Sequence, residues 1–280
     1  MICEKAYAKL NLTLNVLGKR KDGYHELETL MVPIADLYDE LYFEENGTER
    51  MVVENCEIVN NSIIKAAKLF QKKYNTNGAT IRLEKRIPLE AGLAGASADS
   101  SATLRGLARL FDLNIPLKEL EELAKELGSD NVYCLYNKAA VCYGRGEKIE
   151  FLDFDFEFEV TLLKPKFGLL TKDVFAHLKG KAIERNQLEI VLAMLKNHEY
   201  KNLNEYLFND LTEPAMILEP ELKRIFETLL LSGVVTHMSG SGSTLYTVEK
   251  DIDLSDTSFE YVYYKKHLVK NCVNDWLYQK

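Results

Sequence analysis

Residues 8–16 read Ala8-Lys9-Leu10-Asn11-Leu12-Thr13-Leu14-Asn15-Val16, nine positions in which apolar and polar side chains alternate without a break. A period of two is the mark of a β-strand with one face in a core. The other face carries Lys9, Asn11, Thr13 and Asn15, a row of hydrogen-bonding groups that suits either an exposed sheet face or a polar site. The strand runs into Gly18-Lys19-Arg20-Lys21-Asp22-Gly23-Tyr24-His25-Glu26, where Gly18 and Asp22-Gly23 signal a turn.

Outward from this strand, Asn61 to Lys73 has helical spacing (Ile63, Ala66, Ala67, Phe70), and Ala79 to Glu84 alternates as a second strand. Pro88 to Ala102, PLEAGLAGASADSSA, then leads into a helix with Leu104, Leu107, Ala108 and Phe111 on one face. Strand, small-residue loop and helix in this order present backbone N–H groups at a helix start, where the helix dipole favours an anion. The Walker A spacing is absent, so the loop belongs to another class of phosphate binder or is a close-packing device. A helix over Leu117 to Leu127 stops at Gly128, read as a C′ residue, and Ser129-Asp130-Asn131 follows.

Ala139 to Glu147 and Phe154 to Val160 read as antiparallel strands. Near residue 155 the pattern restarts: a strand to Lys164-Pro165, helices over Gln187 to Leu195 and Leu218 to Leu231, the loop MSGSGS (Met238 to Ser243), then strands at TLYTV and around Tyr261 to Tyr264. The expected division is therefore 1–155 and 156–280.

The 280 residues include 35 Lys and Arg against 43 Asp and Glu, a net charge of −8, with 46% hydrophobic residues. That composition excludes disorder, collagen and coiled coil, and the acidic balance disfavours a general nucleic-acid binder. No apolar run approaches the roughly 20 residues of a membrane span, and the N-terminus lacks the apolar core of a signal peptide, so a cytoplasmic protein is expected. Cys3, Cys56, Cys134, Cys142 and Cys272 have no metal or disulfide spacing and are expected to be small buried hydrophobes. His177, His198, His237 and His267 form no metal spacing.

Two small-residue loops in one chain favour an anionic ligand. Asp130 is open to two readings, the N-cap of the next helix or a general base taking a proton from an attacking hydroxyl, with Lys9 keeping it ionised. Tyr24 and His25, beside Lys19, Arg20 and Lys21, suit a nucleobase with phosphates or an ordinary charged hairpin turn.

Together these motifs resemble the GHMP kinase superfamily. The stretch AYAKLNLTLNVLGKRKDGYHELETL is similar to the opening motif of one branch, A-K-[IL]-N-L…G-x-R-x-D-G-Y-H-x-[LI]. PLEAGLAGASADSSA resembles its phosphate loop, P-x-x-x-G-L-G-G-G-S-S-[DN]-A-A. LGSDNVYC, GRGE, NDLTEPA and MSGSGSTLY match further motifs in the expected order. In the loop, Ala94 and Ala96 stand where the family has Gly and Ala98 where it has Ser, and Asn131-Val132 replaces Val-Pro after the acidic residue.

The resemblance implies an α+β, two-domain fold, with an N-terminal half like domain 2 of ribosomal protein S5 and a ferredoxin-like C-terminal half. It implies an ATP- and Mg²⁺-dependent kinase acting on the C2 hydroxyl of a cytidine-diphosphate-linked alcohol, as a monomer or weak homodimer without nucleic-acid or membrane partners. Asp130 falls on the family's catalytic base and Lys9 on its catalytic lysine. Pro88, Leu89, Glu90, Ala91, Gly92, Leu93, Ala94, Gly95, Ala96, Ser97 and Ala98 fall on the ATP loop, with Asn61 a further nucleotide contact. Asn11, Tyr24, His25, Thr171 and Phe175 fall on acceptor contacts, Tyr24 and Phe175 flanking the cytosine ring. Protein ligands of Mg²⁺ are not assigned. Two alternatives stay open: a superfamily kinase with another alcohol substrate, and a nucleotide-binding protein with weak or no turnover.

Overall fold

In the computed structural model the described residues are 1–55, 61–179, 185–248 and 259–272. Cys56 lies outside them. The chain opens with two long strands, β1 (Ile2–Lys19) and β2 (His25–Glu45), then β3 (Val52–Glu54), α1 (Ser62–Tyr74) and β4 (Ala79–Glu84). Next come α2 (Gly95–Leu110), α3 (Leu117–Leu127), α4 (Ser129–Tyr136), β5 (Ala140–Gly144) and β6 (Lys148–Phe151). The C-terminal half holds β7 (Glu157–Pro165), α5 (Thr171–Ala176), α6 (Gln187–Lys196), β8 (Phe208–Asn209), α7 (Thr212–Leu218), α8 (Pro220–Leu231), β9 (His237–Met238), β10 (Leu245–Thr247) and β11 (Phe259–Val269).

The alternating strand is present and longer than the pattern alone marks. Its polar row is not an exposed face: Lys9, Asn11, Thr13 and Asn15 are all buried. The apolar positions of β1 are shared out between two cores along its length. Leu10 and Leu12 join a cluster with Leu30, Ile34, Val160 and Leu162, whereas Leu14 and Val16 pack with Leu163, Val174, Leu222 and Leu245. A third cluster, around Phe43, Phe70, Leu104 and Leu135, lies between α1, α2, α4 and the N-terminal strands. Burying each such side chain stabilises the fold by roughly 1.5–3 kcal/mol.

β2 is the seam of the molecule. It pairs antiparallel with β1 along nearly its whole length, with β5 through Leu27–Met31 and with β4 through Glu40–Glu45, and meets β11 at Ile34. One continuous path, β3-β4-β2-β11-β7-β10-β9, thus crosses from one half to the other. Residue 155 lies in the short connection between the end of β6 at Phe151 and the start of β7 at Glu157. The middle core nevertheless draws on both sides of that point, Leu10 and Val141 with Phe158 and Leu188.

Several local readings need correction. The helix expected over Leu218 to Leu231 is present as α8 but starts two residues later, at Pro220, because Glu219 has left helical geometry; Leu218 ends the preceding α7, which the pattern does not mark. Strand β7 begins at Glu157, so Phe154 precedes it, and Phe111 caps α2 instead of lying on it. Gly128 is not a left-handed C′ residue; its backbone is extended (φ 165°) and it serves both as C-cap of α3 and N-cap of α4. Cys134, Cys142 and Cys272 are buried as expected, but Cys3 is exposed. No helix among the described residues is long and apolar enough to cross a membrane.

Candidate active site

The buried polar row of β1 is the floor of the site. The Lys9 ammonium donates to Asn11 Oδ1 at 2.6 Å and to the Gly92 carbonyl at 3.0 Å, and stands 3.8 Å from Asp130 Oδ2. Asn11 in turn donates to Thr29 Oγ1 at 2.8 Å, and Thr29 to the Thr13 carbonyl at 2.6 Å. The Lys9 ammonium is thus held by two oxygens inside the protein, which fixes the lysine's rotamer. The Lys9 side chain is 4% exposed, whereas that of Asp130 is 32% exposed.

Asp130 is the second residue of α4, and Gly128, not Asp130, occupies the N-cap. Of the two readings of this carboxylate, the cap is therefore excluded. Two ties hold α4 in place. Asn131, buried, donates to Ser100 Oγ at 2.5 Å, and Ser101 Oγ donates to the Asn131 carbonyl at 2.8 Å, locking the start of α4 onto α2. At the other end, Arg105 of α2 donates to the carbonyls of Cys134 (2.9 Å) and Leu135 (3.1 Å), and also to the Lys5 carbonyl and Glu4 of β1. The elements carrying Lys9 and Asp130 are thus both fastened to α2.

The loop before α2 divides in two. From 90 to 93 its carbonyls point into the protein and meet the second small-residue loop: Glu90 O accepts from Leu169 and Ser243 N–H, Ala91 O from Thr244 N–H, and Gly92 O from Ser239 Oγ at 3.1 Å as well as from Lys9. The loops touch so closely that a side chain would not fit between them. A Cβ on Gly240 (φ +54°) would lie 2.9 Å from Gly92 O and 3.2 Å from Lys9 Nζ. From residue 95 onward the N–H groups are those of a helix start, and no side chain caps them. Ala94, at the N-cap, holds a left-handed conformation (φ 59°, ψ 24°) that glycine would adopt without strain.

A cleft of about 370 Å³ lies against this helix start, lined by Asn61, Leu89, Ala96, Ser97, Asp99, Ser100 and Asn131, with Lys65, Lys85 and Leu83. Asn61 also caps α1, accepting from Ile64 N–H at 2.8 Å. Lys85 and Asp99 were not among the sequence candidates. Lys85 bridges two buried carboxylates, Asp39 and Asp99, the latter at 3.1 Å. Burial works against the Lys85 ammonium, but Asp99 and Asp39 outweigh it and hold its pKa up. Burial pushes Asp99 up to about 8, Lys85 opposing and Asp39 adding to the effect. Asp39 is fully engaged, taking the backbone N–H groups of Arg86 and Ile87 besides Lys85, whereas Asp99 Oδ1 finds no partner among the described residues.

At the far end of the polar row, Tyr24 is 53% exposed in the β1–β2 turn and His25 opens β2. The His25 ring stacks on Phe175 of α5, centroids 4.9 Å apart and planes 23° from parallel. Burial, with Lys19 assisting, lowers the His25 pKa, so the neutral ring presents one donor and one acceptor near pH 7. Thr171, the first residue of α5, shares a 2.9 Å hydrogen bond with Ser241 of the second loop. The sequence candidates thus fall in three groups: Asn61, Leu89, Ala96 and Ser97 line the cleft, Lys9, bonded to Asn11, meets Asp130, and Tyr24, His25 and Phe175 form the ring end, with the polar row of β1 running between the last two groups; Glu90, Ala91 and Gly92 tie the two loops together.

The profile of the GHMP kinases N terminal domain matches residues 61–144 and that of the GHMP kinases C terminal domain residues 182–253. Together they cover more than half of the chain, which is therefore a GHMP kinase. A protein of Staphylococcus haemolyticus (strain JCSC1435), provisionally named 4-diphosphocytidyl-2-C-methyl-D-erythritol kinase, is 42% identical over 253 residues, covering 88% of this chain and 89% of its own. A counterpart from Staphylococcus aureus (strain N315) gives the same figures. The solved structure of a 4-(cytidine 5'-diphospho)-2C-methyl-D-erythritol kinase superposes with a TM-score of 0.80 at 29% identity, over 95% of this chain and 99% of that one. The chain belongs to the 4-diphosphocytidyl-2-C-methyl-D-erythritol kinase family. Mevalonate kinase from L. major (TM-score 0.70, 14% identity) shares the fold.

Proposed function

We propose that the protein transfers the γ-phosphoryl group of ATP to the C2 hydroxyl of 4-diphosphocytidyl-2-C-methyl-D-erythritol, a step toward isoprenoid precursors. The observation that carries this reading is the Lys9–Asp130 pair, 3.8 Å apart and fastened through Asn131 to the helix start that faces the 370 Å³ cleft. ATP would lie in that cleft with its phosphates on the first N–H groups of α2. The acceptor would lie along the groove from Asp130 to the Tyr24, His25 and Phe175 rings.

In the proposed reaction Asp130 orients the acceptor hydroxyl and takes its proton as the oxygen bonds to the γ-phosphorus. The bond to the β-phosphate oxygen breaks, and ADP leaves. Lys9 lies beside Asp130 and offsets charge on the transferring group; phosphoryl transfer needs little more than such positioning and charge stabilisation. Asn11 holds Lys9 in place rather than reaching the acceptor through a spare group. The neutral His25 ring suits the donor and acceptor edge of cytosine.

Among the described residues no group of three or more His, Cys, Asp or Glu could hold a metal. Mg²⁺ would therefore arrive on the nucleotide phosphates, a mode usual for this ion, with the Ser97 hydroxyl in the first turn of α2 on offer. When bound it would neutralise phosphate charge.

The test is steady-state ADP release with 4-diphosphocytidyl-2-C-methyl-D-erythritol against a panel of alcohols that includes mevalonate and homoserine. Release with the cytidylyl compound alone supports the reading. A better turnover with another alcohol, or ATP binding without any ADP formed, would replace it.

A further inference from the structure

Between the ring end of the groove and Asp130 lies the turn that joins β5 to β6, Gly144-Arg145-Gly146-Glu147. The family motif leaves its second position open, and here it is arginine. The Arg145 guanidinium carbon stands 4.7 Å from the centre of the Tyr24 ring. On the other side of the same turn, the point where a Gly146 side chain would begin is 3.7 Å from Asp130 Oδ1. Arg145 is therefore tethered one residue from the catalytic carboxylate while its cation reaches the ring that would hold a base.

The turn is built to keep it there. Glu147 folds its carboxylate back over the turn, accepting the Arg145 N–H at 2.6 Å, and its Oε2 is 4.0 Å from Arg145 Nε. The guanidinium makes no closer ion pair among the described residues, and its side chain is 31% exposed. Asp22, the other nearby carboxylate, is held below the usual carboxylate range first by hydrogen bonding to Arg20, with Arg145 a lesser influence. The planar fork of Arg145 thus has donors to spare, partly exposed beside the Tyr24 ring.

We infer that Arg145 is a specificity-determining residue that binds the diphosphate linking base and alcohol in the acceptor. This rests on the reading of the acceptor as a cytidine-diphosphate-linked alcohol. A molecule with its base at Tyr24 and its hydroxyl at Asp130 must carry the intervening diphosphate past this turn. A guanidinium binds phosphate oxygens in pairs, which a nearby lysine would do only as a point charge. Stacking on Tyr24 holds the fork flat before the ligand arrives.

The test compares inhibition by cytidine and by CDP, each competing with the acceptor, in the wild type, Arg145→Gln and Arg145→Lys. The wild type should bind CDP more tightly than cytidine. Arg145→Gln should lose roughly tenfold in CDP affinity, about the effect of one charge-assisted contact, and leave cytidine affinity, the KM for ATP and the melting temperature unchanged. Arg145→Lys should fall between them. Equal losses for cytidine and CDP would make Arg145 a mere support for the ring and overturn the inference, as would a full preference for CDP in Arg145→Gln. A wild type indifferent to CDP would overturn the acceptor reading and the inference together.

Discussion

The two ends of the groove are built on opposite plans. At the Lys9–Asp130 end nearly every polar atom is buried and hydrogen-bonded, and the supporting contacts run to four separate segments: β1, β2, the loop before α2 and the loop 238–243. At the ring end, Tyr24 is largely exposed, and the contacts are ring against ring or ring against guanidinium. Chemistry demands placement to within a fraction of an ångström, and a saturated buried network supplies it. Recognition of a flat base needs rings that can part to admit it. The first end should therefore govern kcat and the second KM.

The largest effect should come from Asp130→Asn. Losing the proton acceptor while keeping shape should lower kcat about 10³-fold with little change in either KM or melting temperature. A drop confined to KM would erase the contrast between the ends. Lys9→Met should cost on the order of 10²-fold in kcat. It would also remove roughly 1–3 kcal/mol of stability, because Asn11 Oδ1 and the Gly92 carbonyl lose a buried donor; chemical denaturation measures this part. At the ring end, Phe175→Ala should raise the acceptor KM roughly tenfold, in line with the ~1–3 kcal/mol of base–aromatic stacking, while kcat and the KM for ATP stay put. A large fall in kcat there would show that the rings also set the geometry of transfer.

The smallest effect sharpens the contrast from the nucleotide side. Asp99 has a folded-state pKa of about 8 against an ordinary 3.8. The folded state then binds more protons than the unfolded one across that interval. The stabilising contribution is whole below the unfolded value and is gone once the pH has passed about 8. Asp99→Asn should remove this decline, so that melting curves of variant and wild type, taken from pH 5 to 9, diverge in the variant's favour as the pH rises. Parallel curves would mean that Asp99 is ionised throughout.

Regularity made much of this legible from the residues. The alternation at 8–16, the helical spacing before and after β4, and the limits of α3 are local patterns, and each reappears, β1 extending six residues further toward the N-terminus than its alternation marks. β2 carries no such pattern, because Pro33 interrupts it and both of its faces meet other elements, which removes the alternation. Whether Lys9 and Asn11 faced water or a site could not be read from their own neighbourhood. It is decided by Ser239 and Gly92, which lie far along the chain. Lys85, Asp39 and Asp99 come from three elements with no common spacing. Arg145 sits in a turn where no periodicity singles it out. The replacement of Val by Asn131, puzzling by itself, has a partner in the Ser100-Ser101 pair that stands where the family has Ala-Ala, and the three side chains satisfy one another.

The contacts between the two small-residue loops carry one more consequence. Glu90, Ala91 and Gly92 are bonded to Ser239, Ser243 and Thr244, and Tyr246 donates to the Asn11 carbonyl at 3.0 Å. The roof over Lys9 is thus supplied by the second half of the polypeptide and the lysine itself by the first. The middle core crosses the same line, with Leu10 and Val141 packed against Phe158 and Leu188, so parting the two segments would open the site and the core together. Phosphoryl transfer is thereby a readout of whether the two halves of the chain are properly joined.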